Sequence, residues 1–180
     1  MKIKQQIFFL CLLFLLTSCG FKPQGNISLA PPLHRMYLQA ADPYNTVSRH
    51  LKQYLAMFHI ELAPSKEEAE TILILSTDRV SQELVGISST QQTRQYNIKT
   101  TIEFEITDTK GQILVETQTL SEERTMTVQS DQILGGSNEA NLLYQQMRQS
   151  LAYAIINRIS SKEITKIISH AFSKKEFQKK

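Results

Sequence analysis

The chain is poor in the residue types that carry most enzyme chemistry. Of its 180 residues, two are cysteines (Cys11 and Cys19) and four are histidines (His34, His50, His59 and His170). No histidine stands in an H-x-x-x-H or H-E-x-x-H pattern, the spacing that puts two metal ligands on one helix face. No phosphate loop is present: Gly135-Gly136 lacks the Lys-Ser/Thr that would follow, and the pair reads as a turn. Glu103 and Glu105 share one strand face, but they alternate with apolar residues as solvent-facing positions do. With no nucleophile–base pair, metal set or cofactor motif, the expectation is a protein that is not an enzyme and holds no cofactor.

Long apolar runs are scarce too. The longest, Ile7 to Leu16, has ten residues, which as a helix span about 15 Å, half of a ~30 Å hydrocarbon core. Placed behind Lys2 and Lys4 and ahead of Thr17 and Ser18, it reads as a cleaved export signal over residues 1–18. The signal ends in Leu16-Thr17-Ser18-Cys19 instead of an A-x-A-like site. That run resembles the lipobox of bacterial lipoproteins. The resemblance implies that Cys19 is diacylated on sulfur, becomes residue one of the mature chain and is then N-acylated. Gly20 stands where an Asp resembles an inner-membrane retention mark, which implies a lipid anchor in the outer membrane, on its periplasmic side. Each buried methylene contributes about 0.8 kcal/mol, so three acyl chains hold firmly. Cys11 leaves with the signal and Cys19 is modified, so neither a disulfide nor a catalytic thiol is expected.

An excess of one charge is also missing. Twenty Lys and Arg face 17 Asp and Glu, and the balance is uneven. Residues 162–180 hold six lysines against Glu163 and Glu176, which leaves the rest of the mature chain slightly acidic. This argues against a nucleic-acid-binding core. The basic amphipathic segment 161–180 reads as a C-terminal tail; such tails are most often simply solvated, and contact with anionic lipid or LPS phosphates is the alternative.

What is present is a regular pattern. Pro23, Gly25, Pro31 and Pro32 make residues 19–32 a semi-extended tether. Residues 33–160 read as one domain. Leu33 to Leu38 form a short strand, then Asp42 caps a helix with Pro43 at its first position. On that helix Tyr44, Val47, Leu51, Tyr54, Leu55 and Phe58 fall within an arc of about 100°. After the charged connection 64–70, strands run from Thr71 to about Val85, Tyr96 to Thr107 and Ile113 to about Val128, the last two joined by a turn at Asp108–Gly111. Asn138 caps a second helix, with Leu143, Tyr144, Met147, Leu151, Ala154 and Ile155 facing the core. Leu142, Tyr153 and Ile156 lie on its other flank as a candidate partner surface. The polar loops 86–95 and 129–137 are placed at one end of the domain. The expected fold is α+β, a two-layer sandwich of order β-α-β-β-β-α. Two helices cover one face of a four-stranded mixed sheet whose first two strands are parallel.

These residues carry a family resemblance. Cys19-Gly20-Phe21 followed by Gly25, Asp42-Pro43-Tyr44 with Leu51 and Leu55, Tyr96 entering an alternating strand, and Asn138-Glu139-Ala140 opening a helix with Met147 and Leu151 resemble the LptE family of LPS-assembly lipoproteins in order and spacing. The resemblance implies a non-enzymatic outer-membrane lipoprotein that helps assemble and plugs an LptD-like β-barrel, its partner, so that LPS reaches the outer leaflet. Family members place basic, LPS-contacting residues at positions that align here with Ser89 and Gly136. The neighbouring cations Arg94 and Arg124 are the candidates for LPS contact instead. The alternative is a lipoprotein accessory subunit or binding module of another envelope assembly machine.

Overall fold

The computed structural model describes residues 29–90, 92–129 and 133–178; the signal, Cys19 and most of the tether lie outside them. In chain order the elements are a 3-10 turn (Pro31–Leu33), strand β1 (Arg35–Ala40), helix α1 (Thr46–Met57), strands β2 (Glu61–Leu62), β3 (Thr71–Ile87), β4 (Thr93–Asp108) and β5 (Ile113–Gln129), and helices α2 (Ile133–Ile159) and α3 (Lys162–Gln178). The strands form one mixed sheet in the order β2-β1-β3-β4-β5. β1 runs parallel to both β2 and β3, while β3, β4 and β5 form an antiparallel meander.

The sheet therefore has five strands where four were expected, and a third helix follows the second. β2 escaped the sequence pattern because two residues cannot show alternation. Backbone bonds hold it, Glu61 N to His34 O at 2.8 Å and Ala63 N to Met36 O at 2.9 Å. The second helix ends at Ile159, at the expected domain boundary, but the segment beyond it is a docked helix. Ile164 and Ile168 are buried in the main core, so the domain extends past residue 160.

Helix α1 starts three residues later than predicted. Asn45 is its cap, the side-chain oxygen accepting from Ser48 N at 2.7 Å. Asp42 shapes the lead-in turn instead: Oδ1 accepts from Tyr44 N at 2.9 Å, and its carbonyl accepts from the Ser48 hydroxyl at 3.0 Å. Tyr44 consequently lies outside the helix and is 83% exposed, whereas Val47, Leu51 and Leu55 are buried as expected. The helix closes at His59, whose φ of 59° turns the chain so that Ile60 N reaches Leu55 O at 2.9 Å.

Alternation on β4 decides which sheet face is covered. Ile98, Thr100, Ile102, Phe104 and Ile106 are all buried, and all three helices pack over that side. Helix α2 also starts earlier than Asn138: its backbone is helical from Ile133, so Gly135-Gly136 lie inside the helix instead of in a loop. Two clusters fill the interlayer space. The larger joins Leu73, Phe104 and Ile106 to Leu51, Leu55, Leu151, Ile155 and α3. The smaller, toward the far end of the sheet, joins Ile98 and Met126 to Ala140 and Met147. At the near end the β4–β5 turn is fixed by Asp108, whose Oδ1 accepts from Lys110 N and Gln112 N at 2.9 and 2.7 Å, and by Gly111 at φ 82°.

Candidate interaction surface

Because β1 pairs with β3 only as far as Leu75, residues 76–87 of β3 run on as a sheet edge, carried by β4 alone. The meander thus projects beyond the main core. A strand of 17 residues spans about 55 Å at ~3.3 Å per residue. Helix α2 follows it. Arg148 Nε donates to both carboxylate oxygens of Asp78 at 3.0 Å, and the Tyr144 hydroxyl lies 3.5 Å from Gln82 Oε1.

At the far end the register puts Arg94 opposite both Ile87 and Val128, and Thr93 opposite Gln129. The strand ends from which the two polar loops leave therefore lie together at one end of the sheet, and β3 and β5 run further than predicted. Arg94 is exposed there, with nearby Leu84, Val85 and Ile87 of β3 also exposed. This apolar rim was not picked out from sequence. The available signal was the pair Leu84-Val85 at the end of a strand whose preceding residues are polar.

Arg124 sits differently. It pairs across the sheet with Ile98, four residues along β5 from Val128, about 13 Å from the Arg94 position. Its Nε and Nη2 donate to Glu122 Oε1 at 2.9 and 2.6 Å, and Nη1 donates to Gln146 Oε1 at 3.2 Å. Arg94 is thus a cation facing solvent, whereas Arg124 is held by a carboxylate of its own strand and by α2. The two do not form one cluster.

The proposed partner flank on α2 is not a continuous patch. Leu142 is 56% exposed, but Tyr153 is half-buried, edge-to-face with Tyr54 of α1 at 5.6 Å between ring centroids. Ile156 is 0% exposed and belongs to the main core, which removes it from any surface of the domain. Helix α2 is enclosed by the sheet, α1 and α3 together, so its buried arc is wider than one stripe.

On the opposite sheet face the middle of the meander is polar and internally bonded, whereas Tyr37, Ile72 and Ile74 make its near end apolar. Thr77 Oγ1 donates to Glu103 Oε2 at 2.8 Å, Thr117 Oγ1 to Glu105 Oε2 at 3.2 Å, and Lys99 Nζ meets Glu123 Oε1 at 2.7 Å. The Lys99 ammonium, with Asn97 assisting, holds the Glu123 carboxyl below the usual carboxylate range. A cleft of about 470 Å³ opens where β1 ends, between the start of α1, Ser76–Asp78 and Arg148. Among the described residues no group of three His, Cys, Asp or Glu is placed to hold a metal, and no helix is long and apolar enough to cross a membrane. Cys19 lies outside the described residues.

The family model for LptE, described as lipopolysaccharide-assembly, matches residues 33–159. The chain belongs to the LptE family. A curated relative, the LPS-assembly lipoprotein LptE of Yersinia enterocolitica, is 22% identical over 148 residues, covering 78% of this chain and 68% of the relative. Two solved structures share the fold. Rare lipoprotein B from Shewanella oneidensis matches with a TM-score of 0.62 at 19% identity, over 72% of this chain and 96% of that one. Lipoprotein B from Nitrosomonas europaea matches with a TM-score of 0.64 at 20% identity, over 78% and 90%. The matched span of the LptE family model stops at Ile159, so α3 lies outside it.

Proposed function

We propose that this LptE-family chain is an outer-membrane lipoprotein, acylated at Cys19, that sits within an LptD-type β-barrel, assists its assembly and enables LPS to reach the outer leaflet. The role is structural, not enzymatic, and requires no cofactor beyond the lipid. The family match over the whole sheet and the first two helices carries this reading.

The geometry is compatible with it. A wide barrel has a polar interior, and the uncovered sheet face offers it Thr, Glu and Lys side chains that already hydrogen-bond one another. At the far end Arg94 stands between Ile87 and Val128, beside exposed Leu84. A cation beside apolar side chains suits an amphiphile that carries phosphates next to acyl chains, which is the chemistry of LPS. Depletion of the protein in its native cell tests the proposal. Surface LPS falls and LPS accumulates inside the outer membrane if the reading holds; unchanged surface LPS overturns it.

A further inference from the structure

Helix α3 has two unlike faces. Ile164 and Ile168 are buried in the main core, with Ala171 and Phe172 packed against it, in the same cluster as Leu29 and Leu33 at the start of the described chain. On the outer side Lys162, Lys166, His170 and Lys174 recur every four residues and all are exposed, a ridge about 18 Å long. Ile167 stands beside this ridge, 41% exposed. The ridge is not neutralised locally. Glu163 is engaged by Arg158 at 3.0 Å, and among the described residues no carboxylate pairs with Lys162, Lys166 or Lys174.

We infer that the Lys162–Lys166–Lys174 face of α3 docks on the anionic phospholipid headgroups of the leaflet that holds the Cys19 anchor. Two observations select this occupant. The first is charge: a row of lysines with an apolar side chain at its margin is the pattern of a helix lying on an anionic interface, ammonium groups among the phosphates and Ile167 toward the acyl boundary. The second is reach. α3 packs directly on the 3-10 turn Pro31–Leu33, and only nine residues separate Cys19 from Leu29, a span of at most about 36 Å when fully extended. The anchor therefore keeps α3 within reach of the headgroup plane, whereas the far end of the meander lies at the opposite end of the sheet. The inference rests on the Cys19 anchor and is independent of the barrel partnership.

The test uses the full mature lipoprotein, purified from membranes with whatever partner it retains and reconstituted into nanodiscs. Ser173 is exposed at this face, and Ser173→Cys gives the mature chain a unique free thiol for a fluorophore. Quenching by a headgroup spin-labelled lipid is compared between discs of phosphatidylcholine alone and discs doped with phosphatidylglycerol. Quenching is expected to rise with phosphatidylglycerol and to fall in high salt. In the Lys162→Gln/Lys166→Gln/Lys174→Gln variant, docking weakens about a hundredfold, roughly fivefold per lysine. Equal quenching in both discs, quenching unchanged by the triple substitution, or a rise only when LPS is added overturns the inference. A protein that elutes free of both discs refutes the anchor and with it the inference; one that stays with both discs and is quenched equally refutes the inference alone.

Discussion

Arg148 on α2 donates its Nε to both carboxylate oxygens of Asp78 on β3, at 3.0 Å each, across 70 residues of sequence. Both side chains are about four-fifths shielded, and they clamp the helix to the projecting half of the meander where β1 no longer supports it. Arg148→Ala and Asp78→Ala are each expected to cost about 1–2 kcal/mol in urea unfolding, with a coupling energy near 1 kcal/mol in the double-mutant cycle. Additive effects would show that the pair does not hold the helix.

The flank of α2 divides into core and surface. Ile156→Ala is expected to destabilise by about 2–4 kcal/mol, the cost of a cavity in a packed core. Leu142→Ala, at a 56% exposed position, is expected to stay within about 0.5 kcal/mol of the parent. Equal effects in thermal unfolding would contradict this division.

Glu123 accepts hydrogen bonds from Lys99 and Asn97, which lower its pKa in the folded state. A depressed carboxylate pKa contributes stability above the unfolded value of about 4.3, and that contribution fades as pH falls through the folded value. A side-chain carboxyl NMR titration should place Glu123 below the ordinary range, and Lys99→Gln should move it back up. A Glu123 midpoint that ignores Lys99→Gln would remove this pair as the cause.

Gly111 closes the β4–β5 turn at φ 82°, and a Cβ there would meet nothing within 4 Å. The cost of Gly111→Ala is therefore conformational, about 1 kcal/mol, with Gly111→Asn cheaper because Asn tolerates the left-handed region. Chemical denaturation of the two variants checks the order.

Arg94 and Arg124 were equivalent candidates in sequence and are not equivalent in structure. Arg94→Asp is expected to lower LPS binding in vitro by about tenfold, the effect of one charge-assisted contact, without loss of stability. Arg124→Ala is expected to act mainly through Glu122 and Gln146, the groups it leaves unpaired, and so on stability. The reverse pattern would exchange their roles.

The contrast shows where sequence reasoning reached and where it stopped. β4 was readable because every second residue from Ile98 to Ile106 is buried, a period only a half-covered strand produces. Helix starts are less legible because the local chemistry is ambiguous. Asp42-Pro43 and Asn45 both carry cap signals, and the bond from Ser48 N selects Asn45. Glycines 135 and 136 weaken a helix without forbidding one. A single apolar stripe on α2 would leave Ile156 at the surface. On α2 the buried positions Met147, Leu151, Ala152, Ile155, Ile156 and Ile159 cover about half the circumference at 100° per residue. That width reflects helix α3, whose apolar positions Ile164, Ile168 and Ala171 have helical spacing but do not say which surface they cover. The candidate surface was partly legible: that β3 and β5 end together followed from hairpin order, whereas the exposed rim of Leu84, Val85 and Ile87 depends on β1 ending at Ala40.

The most direct test of the central claim is affinity purification of the chain through a C-terminal tag from membranes in mild detergent. Recovery of a large outer-membrane β-barrel in about equal amount, seen by mass spectrometry and native mass, is the result this account predicts. A lipoprotein that elutes alone, or with a different envelope assembly in place of the barrel, would contradict it.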